Sequence, residues 1–377
     1  MPRTKMIVAG LTCLDITPEF KKFPDSSISD IFRPGKTVLA GNAEVNAGGS
    51  VSNTGLAMQF LGGDTVLMGK IGNDLFGKLL LDYLEAYPAE KDMAVDDHGF
   101  TSYSVILAVP GIDRIFIHNP GAADSFTAAD IDYLKCEEAL VFHMGYPNIM
   151  SRLYENEGKE LTEIFRRVKS AGCITSMDFA AVDSDSAAAA ADWDKILKRT
   201  LPYVDFFMPS IEEILALLEK DRHAELKKEA AGRDITEIID LEKDVIPLAD
   251  RLLSMGCAAA IIKCGARGIY YKTTYCERFY ELGHTVGANL MDFGEKSGFE
   301  EAYMPDRIVS GTGAGDTSIA AFLMAAVKGY SLEMCVKLAA AEGACCVTAL
   351  GALEGLKPLE ELEKRINSGW KKVSAKE

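Results

Sequence analysis

Short apolar runs alternating with helical periods constrain this chain more than any other feature of its sequence. Residues 6–10, 65–69, 139–143, 174–178, 206–208 and 258–263 are near-continuous apolar runs and read as buried strands. Between them, residues 52–61, 77–87, 161–170, 211–219 and 248–255 repeat apolar side chains every three or four positions, the period of a helix with one buried face. Parallel strands need long crossovers, and helices supply them, so the alternation predicts a parallel sheet covered by helices. Residues 316–349 read as two more helices, broken near Gly329-Tyr330-Ser331.

Two segments depart from this rhythm. Residues 11–45 and 99–119 carry Pro, Gly and alternating β-formers (Phe100, Tyr103, Val105, Leu107, then Ile115 and Ile117). Pro110-Gly111-Ile112-Asp113 reads as the turn of a hairpin. The expectation is a small β-sheet inserted into one α/β domain made of residues 1–10, 46–98 and 120–377. Residues 219–243 are charged, helix-prone and interrupted by Gly232, and read as a solvated insertion.

Charge and cysteine usage narrow the partners. Forty basic and 56 acidic residues give a formal charge of −16, which disfavours nucleic acid and anionic membranes because both require basic surfaces. No run approaches the ~20 apolar residues of a membrane span. Nine cysteines without a C-x-x-C pair read as reduced thiols of a cytoplasmic protein.

The chemistry concentrates in two glycine-rich turns. In Ser310-Gly311-Thr312-Gly313-Ala314-Gly315-Asp316, the glycines open directly into an apolar helix. Such a turn lets the backbone approach an anion, and the helix start aims unpaired N–H groups at it. An acid in that first turn either caps the helix or takes a proton from an attacking hydroxyl beside the anion. No Lys-Ser or Lys-Thr follows the glycines, so this is not a P-loop. Its late position also disfavours a dinucleotide fold. The second turn, Gly48-Gly49-Ser50-Val51-Ser52-Asn53, again precedes a helix, and continues through Gly62-Gly63 to Gly69-Lys70-Ile71-Gly72-Asn73-Asp74-Leu75-Phe76-Gly77. Asn53 both donates and accepts, which suits hydroxyl groups.

The stretch 48–77 closely resembles the first signature of the ribokinase-like (PfkB) carbohydrate kinases, and Gly313–Asp316 resembles the core of the second. Lys263-Cys264-Gly265-Ala266-Arg267-Gly268 looks like that family's nucleotide-side turn. The resemblance implies a three-layer α/β/α sandwich with a mostly parallel central sheet and a small β-lid over the substrate. The lid's alternating apolar residues, Tyr103, Val105, Leu107, Ile115 and Ile117, need cover and predict a homodimer joined through the lids. The resemblance also implies transfer of a phosphoryl group from ATP, with Mg²⁺, to a hydroxyl of a small sugar-like substrate. Asp316 would be the base, with Gly313, Ala314 and Gly315 the anion hole. Asp15, Gly48, Gly49, Asn53 and the lid residue Arg114 would bind substrate. Lys263, Gly265, Gly268 and Thr312 would lie against ATP, and Glu213 would reach the metal through water. His118 reads as a packed lid residue.

Two departures stand out. Ser210 occupies the position where Asn is usual ahead of Glu213, and Ser310 stands where Asp is usual, so a monovalent cation loses its strongest ligand there. Other readings remain open at this point: a nucleoside kinase with Phe100, Tyr103 and Phe116 as a base slot, or a non-catalytic sugar-binding relative. A phosphosugar substrate would use Lys21, Lys22, Arg33 and Lys36, which otherwise read as solvated surface.

Overall fold

The computed structural model describes residues 3–21, 28–110 and 114–373. Its strands in chain order are β1 (Lys5–Gly10), β2 (Cys13–Pro18), β3 (Ala43–Gly48), β4 (Asp64–Gly72), β5 (Glu90–Asp96), β6 (Tyr103–Leu107) and β7 (Ile115–Asn119). They continue with β8 (Ala139–Gly145), β9 (Ile174–Asp178), β10 (Phe206–Phe207), β11 (Ala259–Lys263), β12 (Gly268–Thr273) and β13 (Ser297–Glu301). Nine of them form one sheet in the order β13-β12-β11-β10-β9-β8-β1-β4-β5, and four form a second, β3-β2-β6-β7. In the large sheet β5 through β11 are parallel, while β12 and β13 add an antiparallel edge.

The apolar runs are strands because both sheet faces are covered. Ile7 and Ala9 of β1 point into one core with Phe142, Met144, Phe165 and Trp193. Met6 and Val8, on the opposite face, join Phe206 and Phe322 and the helices Ala314–Val327 and Leu332–Cys346. Period-two alternation therefore splits one strand between two cores. All six expected strands are present, and so is the break between the two late helices. The sequence reading misses β5, whose Glu90-Lys91-Asp92 start suits a polar sheet edge, and the antiparallel pair β12 and β13. It also misses the helices Trp193–Thr200, Cys276–Val286 and Leu359–Asn367.

The second sheet draws β2 and β3 from the first β-rich segment, with β3 running on to Gly48, and β6 and β7 from the second. The residues expected at the β6–β7 turn, Gly111 to Asp113, lie outside the described residues, as does Lys22. In the 219–243 segment, a helix Lys220–Ala230 ends at Gly232, and Ile235–Glu237 packs Thr236 against Gly265. All nine cysteines are free and eight are buried, Cys276 being the exposed one. Among the described residues no helix is long and apolar enough to cross a membrane.

Candidate active site

Two glycine-led helices lie side by side with their first turns together. Helix Gly49–Phe60 begins directly at the end of β3, where Gly49 has φ +79° and a Cβ would fall 2.5 Å from the Leu11 carbonyl oxygen. Helix Ala314–Val327 begins after Gly313, at φ +73°, where a Cβ would meet Ala352 at 2.3 Å. Only glycine satisfies both the backbone conformation and the space at these two positions.

Asp316 is 2% exposed. It does not cap its own helix, whose start has no side-chain cap. Its carboxylate instead accepts from side chains elsewhere: Asn53 Nδ2 at 2.9 Å and the Tyr146 hydroxyl at 2.8 Å on Oδ2, and Thr54 Oγ1 at 3.2 Å on Oδ1. Burial raises its pKa, and the hydrogen bonds and the Lys263 charge offset part of that rise. Tyr146, just beyond β8, holds a left-handed φ of 64°, an uncommon conformation for a side chain of this size.

Lys263, at the end of β11, forms a buried ion pair with Asp178 at the end of β9, 2.7 Å apart. Its amine lies beside Gly315, 3.4 Å from where a Cβ would stand. Burial works against its charge, but Asp178, Glu213 and Asp316 outweigh burial and raise its pKa, so the amine is an ammonium. Burial raises the pKa of all three carboxylates, and a cation arriving there with phosphates would favour their ionised forms. Glu213 is held by a reciprocal cap: its Oε2 accepts from the Ser210 amide at 2.7 Å, and the Ser210 hydroxyl accepts from the Glu213 amide at 3.2 Å. The Ser210 departure thus preserves the helix start. Ser310 likewise keeps its loop closed, donating to Thr312 Oγ1 at 3.0 Å and accepting from the Thr312 amide at 3.2 Å.

A cleft of about 520 Å³ opens between the second sheet and these helix starts. Asp15, Asn53, Arg114, Ser310 and Thr312 line it, and Arg114 donates to the Thr312 hydroxyl. Asp316 lies one hydrogen bond behind Asn53. Gly48 abuts Asp15 so closely that a Cβ would fall 2.1 Å from its carboxylate. Asp15 accepts from the Cys13 thiol at 3.3 Å and from Ser104, yet burial, helped by the Asp316 charge, raises its pKa to about 6. Gly48, Gly49, Lys263, Gly265, Gly268, Glu213 and the Gly313–Gly315 turn lie outside the cleft lining. Gly268 is also required by the sheet, since a Cβ would meet the Glu300 carbonyl at 2.0 Å.

Several expected residues stand elsewhere. Phe100 and Phe116 are 75% and 53% exposed, Tyr103 packs edge-on against Phe76, and none of the three lines the cleft. Arg33 and Lys36 bond Asp30, Lys21 is exposed, and none of these three lines it either. His118 bonds Ser104 at 3.0 Å. The sequence reading missed Tyr146, Thr54 and Asp178. Their position at the C-terminal ends of parallel strands and at a helix start was the available signal.

Chemically, the arrangement pairs a buried carboxylate with an ammonium and a row of helix-start amides, next to a polar cleft. A carboxylate so placed can take a proton while the amides hold an anion. The model of the pfkB family of carbohydrate kinases matches residues 4–358. An uncharacterized sugar kinase of Archaeoglobus fulgidus is 24% identical over 303 residues, covering 80% of this chain and 98% of that one. Fructokinase-2 of Oryza sativa subsp. japonica is 24% identical over 338 residues, covering 85% and 84%. The solved structure of Arabidopsis thaliana ribokinase complexed with ribose and ATP has the same fold, with a TM-score of 0.68 at 21% identity over 97% of this chain and 98% of that one. With the match running through nearly all of the chain, through both glycine turns and the strands that carry Lys263 and Asp178, the protein belongs to the pfkB family of carbohydrate kinases.

Proposed function

We propose that this chain transfers the γ-phosphoryl group of ATP to a hydroxyl of a small sugar, with Asp316 as the general base. The observation that carries the reading is the Asp316 carboxylate, buried in the first turn of a glycine-led helix and bonded to a residue of the cleft. In the reaction the acceptor hydroxyl takes a position on Oδ2 now shared by Asn53 and Tyr146, and gives its proton there as its oxygen attacks phosphorus. The amides of Gly313, Ala314 and Gly315, with Lys263 beside them, stabilise the charge on the transferring group. Asp15 and Asn53 orient the sugar, Arg114 and Thr312 stand at the boundary between the sugar and phosphate sides, and Gly265 and Gly268 carry the turn beside the nucleotide. Glu213 would hold a water of a magnesium ion, which neutralises phosphate charge when bound. The relatives named a fructokinase and a ribokinase support a sugar as acceptor. ADP release in the presence of Mg-ATP, measured across pentoses and hexoses, tests the reading. A sugar-dependent rate of about 1–100 s⁻¹ is expected, and no stimulation by any sugar rejects it in favour of a non-catalytic sugar binder.

Asp15 links this role to stability. Because burial raises its carboxyl pKa to about 6, the folded state keeps a proton that the unfolded state loses near pH 4. Stability therefore falls as pH rises from about 4 to 6 and then levels off. Asp15→Asn should remove this dependence, raise stability at pH 8 by roughly 1–3 kcal/mol, and weaken sugar binding at least tenfold. Urea midpoints at pH 4 and 8 check the first part; a variant no more stable at pH 8 contradicts it.

The second sheet also supports a homodimer. Ile115, Phe116 and Ile117 are exposed along β7, an edge strand that a partner would cover. Light scattering at micromolar concentration should give twice the chain mass, and a monomer contradicts it.

A further inference from the structure

The charges around the cleft are one-sided. β2 and β3 pair antiparallel, with Asp15 opposite Asn46 and Thr17 opposite Glu44. The pairing continues past both strands, as the Glu19 amide donates to the Asn42 carbonyl at 2.9 Å. Side chains alternate across a strand, so positions 15, 17 and 19 share a face with 42, 44 and 46, and all six residues line the cleft. Glu354 and the apolar Leu56, Ile106 and Leu353 also line the cleft, Ile106 on β6, the neighbour of β2 in the same sheet. Among the described residues the lining thus holds four carboxylates, Asp15, Glu19, Glu44 and Glu354, against one cation, Arg114, which is bonded to Thr312 at the phosphate-side end. Among the described residues no Lys or Arg forms an ion pair with Glu19, Glu44 or Glu354. Of the basic residues between β2 and β3 that would serve a phosphate, Lys21, Arg33 and Lys36 stand away from the lining, and Lys22 lies outside the described residues.

We infer that the acceptor is an uncharged sugar, and that the carboxylates of the rim, Glu44 foremost, exclude sugar acids and sugar phosphates. The inference rests on the kinase reading above. A row of carboxylates and amides receives ring hydroxyls as donors and acceptors without a net charge to satisfy. An anionic sugar entering the same cleft meets like charge between low-dielectric walls, a repulsive element that discriminates without costing the neutral sugar any contact. The apolar Leu56, Ile106 and Leu353 take up the C–H face of the ring.

The test is equilibrium binding to the full chain at low salt, using matched sets: ribose, ribonate and ribose 5-phosphate; glucose, gluconate and glucose 6-phosphate; fructose and fructose 6-phosphate. The tightest ligand should be neutral, with its acid and phosphate at least tenfold weaker. That gap should shrink at least threefold at high salt and again in Glu44→Gln, and further in Glu44→Lys. Glu44 is exposed, so these variants should fold, and their melting curves check it. An acid or phosphate that binds as tightly as its neutral parent overturns the inference, as does a gap indifferent to both salt and Glu44→Lys. Selective binding of a neutral sugar without transfer from ATP upholds the charge selectivity and removes the kinase reading. Failure of every sugar to bind overturns both.

Discussion

Asp316→Asn is expected to lower kcat by about 10²–10⁴-fold, the usual worth of a positioned general base, with ATP and sugar affinities within a few-fold of wild type. The substitution keeps shape. Its carbonyl oxygen still accepts from Asn53 and Tyr146, and its new amide faces the Thr54 hydroxyl, which can accept. What is lost is the capacity to take the proton. The raised pKa of Asp316 gives the wild type an acid limb as well: activity rises with pH as the carboxyl ionises, the direction set by burial. Steady-state kinetics with separate binding titrations check both parts. Turnover near wild type in the variant removes Asp316 from the mechanism, and a collapse of both affinities assigns it a structural role instead.

Lys263→Met should produce the largest loss of stability, about 3–5 kcal/mol at pH 8, the cost of leaving a buried carboxylate without its partner. Asp178 is buried at 1% exposure and pairs with Lys263 at 2.7 Å. Burial, Glu213 and Asp316 already push the Asp178 pKa up against the restraint of Lys263, so without the ammonium it rises further. The folded variant can then neutralise Asp178 only by binding a proton. An acid with a raised folded pKa is stabilising at low pH and loses that contribution as pH rises, so the deficit should be small at pH 5 and large at pH 8. Asp178→Asn in the same chain should restore much of the loss, because it removes the orphaned charge. Urea denaturation of the two variants at both pH values measures this. A loss below about 1 kcal/mol at pH 8, or no rescue by the second substitution, shows that the pair carries little of the stability assigned to it.

The parts legible in the sequence are those whose signal is local. Each apolar run of the parallel sheet announces itself because both faces of its strand are buried, as Met6 to Ala9 illustrate. Asp316 and Asn53 are each marked by glycines a few residues away, since the backbone must turn tightly into a helix there. β5 is invisible by the same logic: at the sheet edge, Glu90, Lys91 and Asp92 need no burial, and their alternation resembles a loop. Tyr146 and Asp178 are missed for another reason. Each stands at the end of an apolar run that reads as core, and what brings them to Asp316 and Lys263 is the neighbouring placement of β8, β9, β10 and β11. The spacing S-x-x-E from Ser210 to Glu213 was readable as a helix cap. Seen so, the serine replaces one capping residue with another, which is what the reciprocal bonds between Ser210 and Glu213 express.

Product analysis tests the central claim most directly. The protein is incubated with Mg-ATP and the sugar that best stimulates ADP release, and the products are resolved by mass spectrometry and phosphorus NMR. The account predicts a sugar monophosphate formed one for one with ADP, and none formed by Asp316→Asn over the same interval. ADP accompanied by free phosphate and unmodified sugar would contradict it, because the phosphoryl group would then have gone to water and not to a hydroxyl in the cleft.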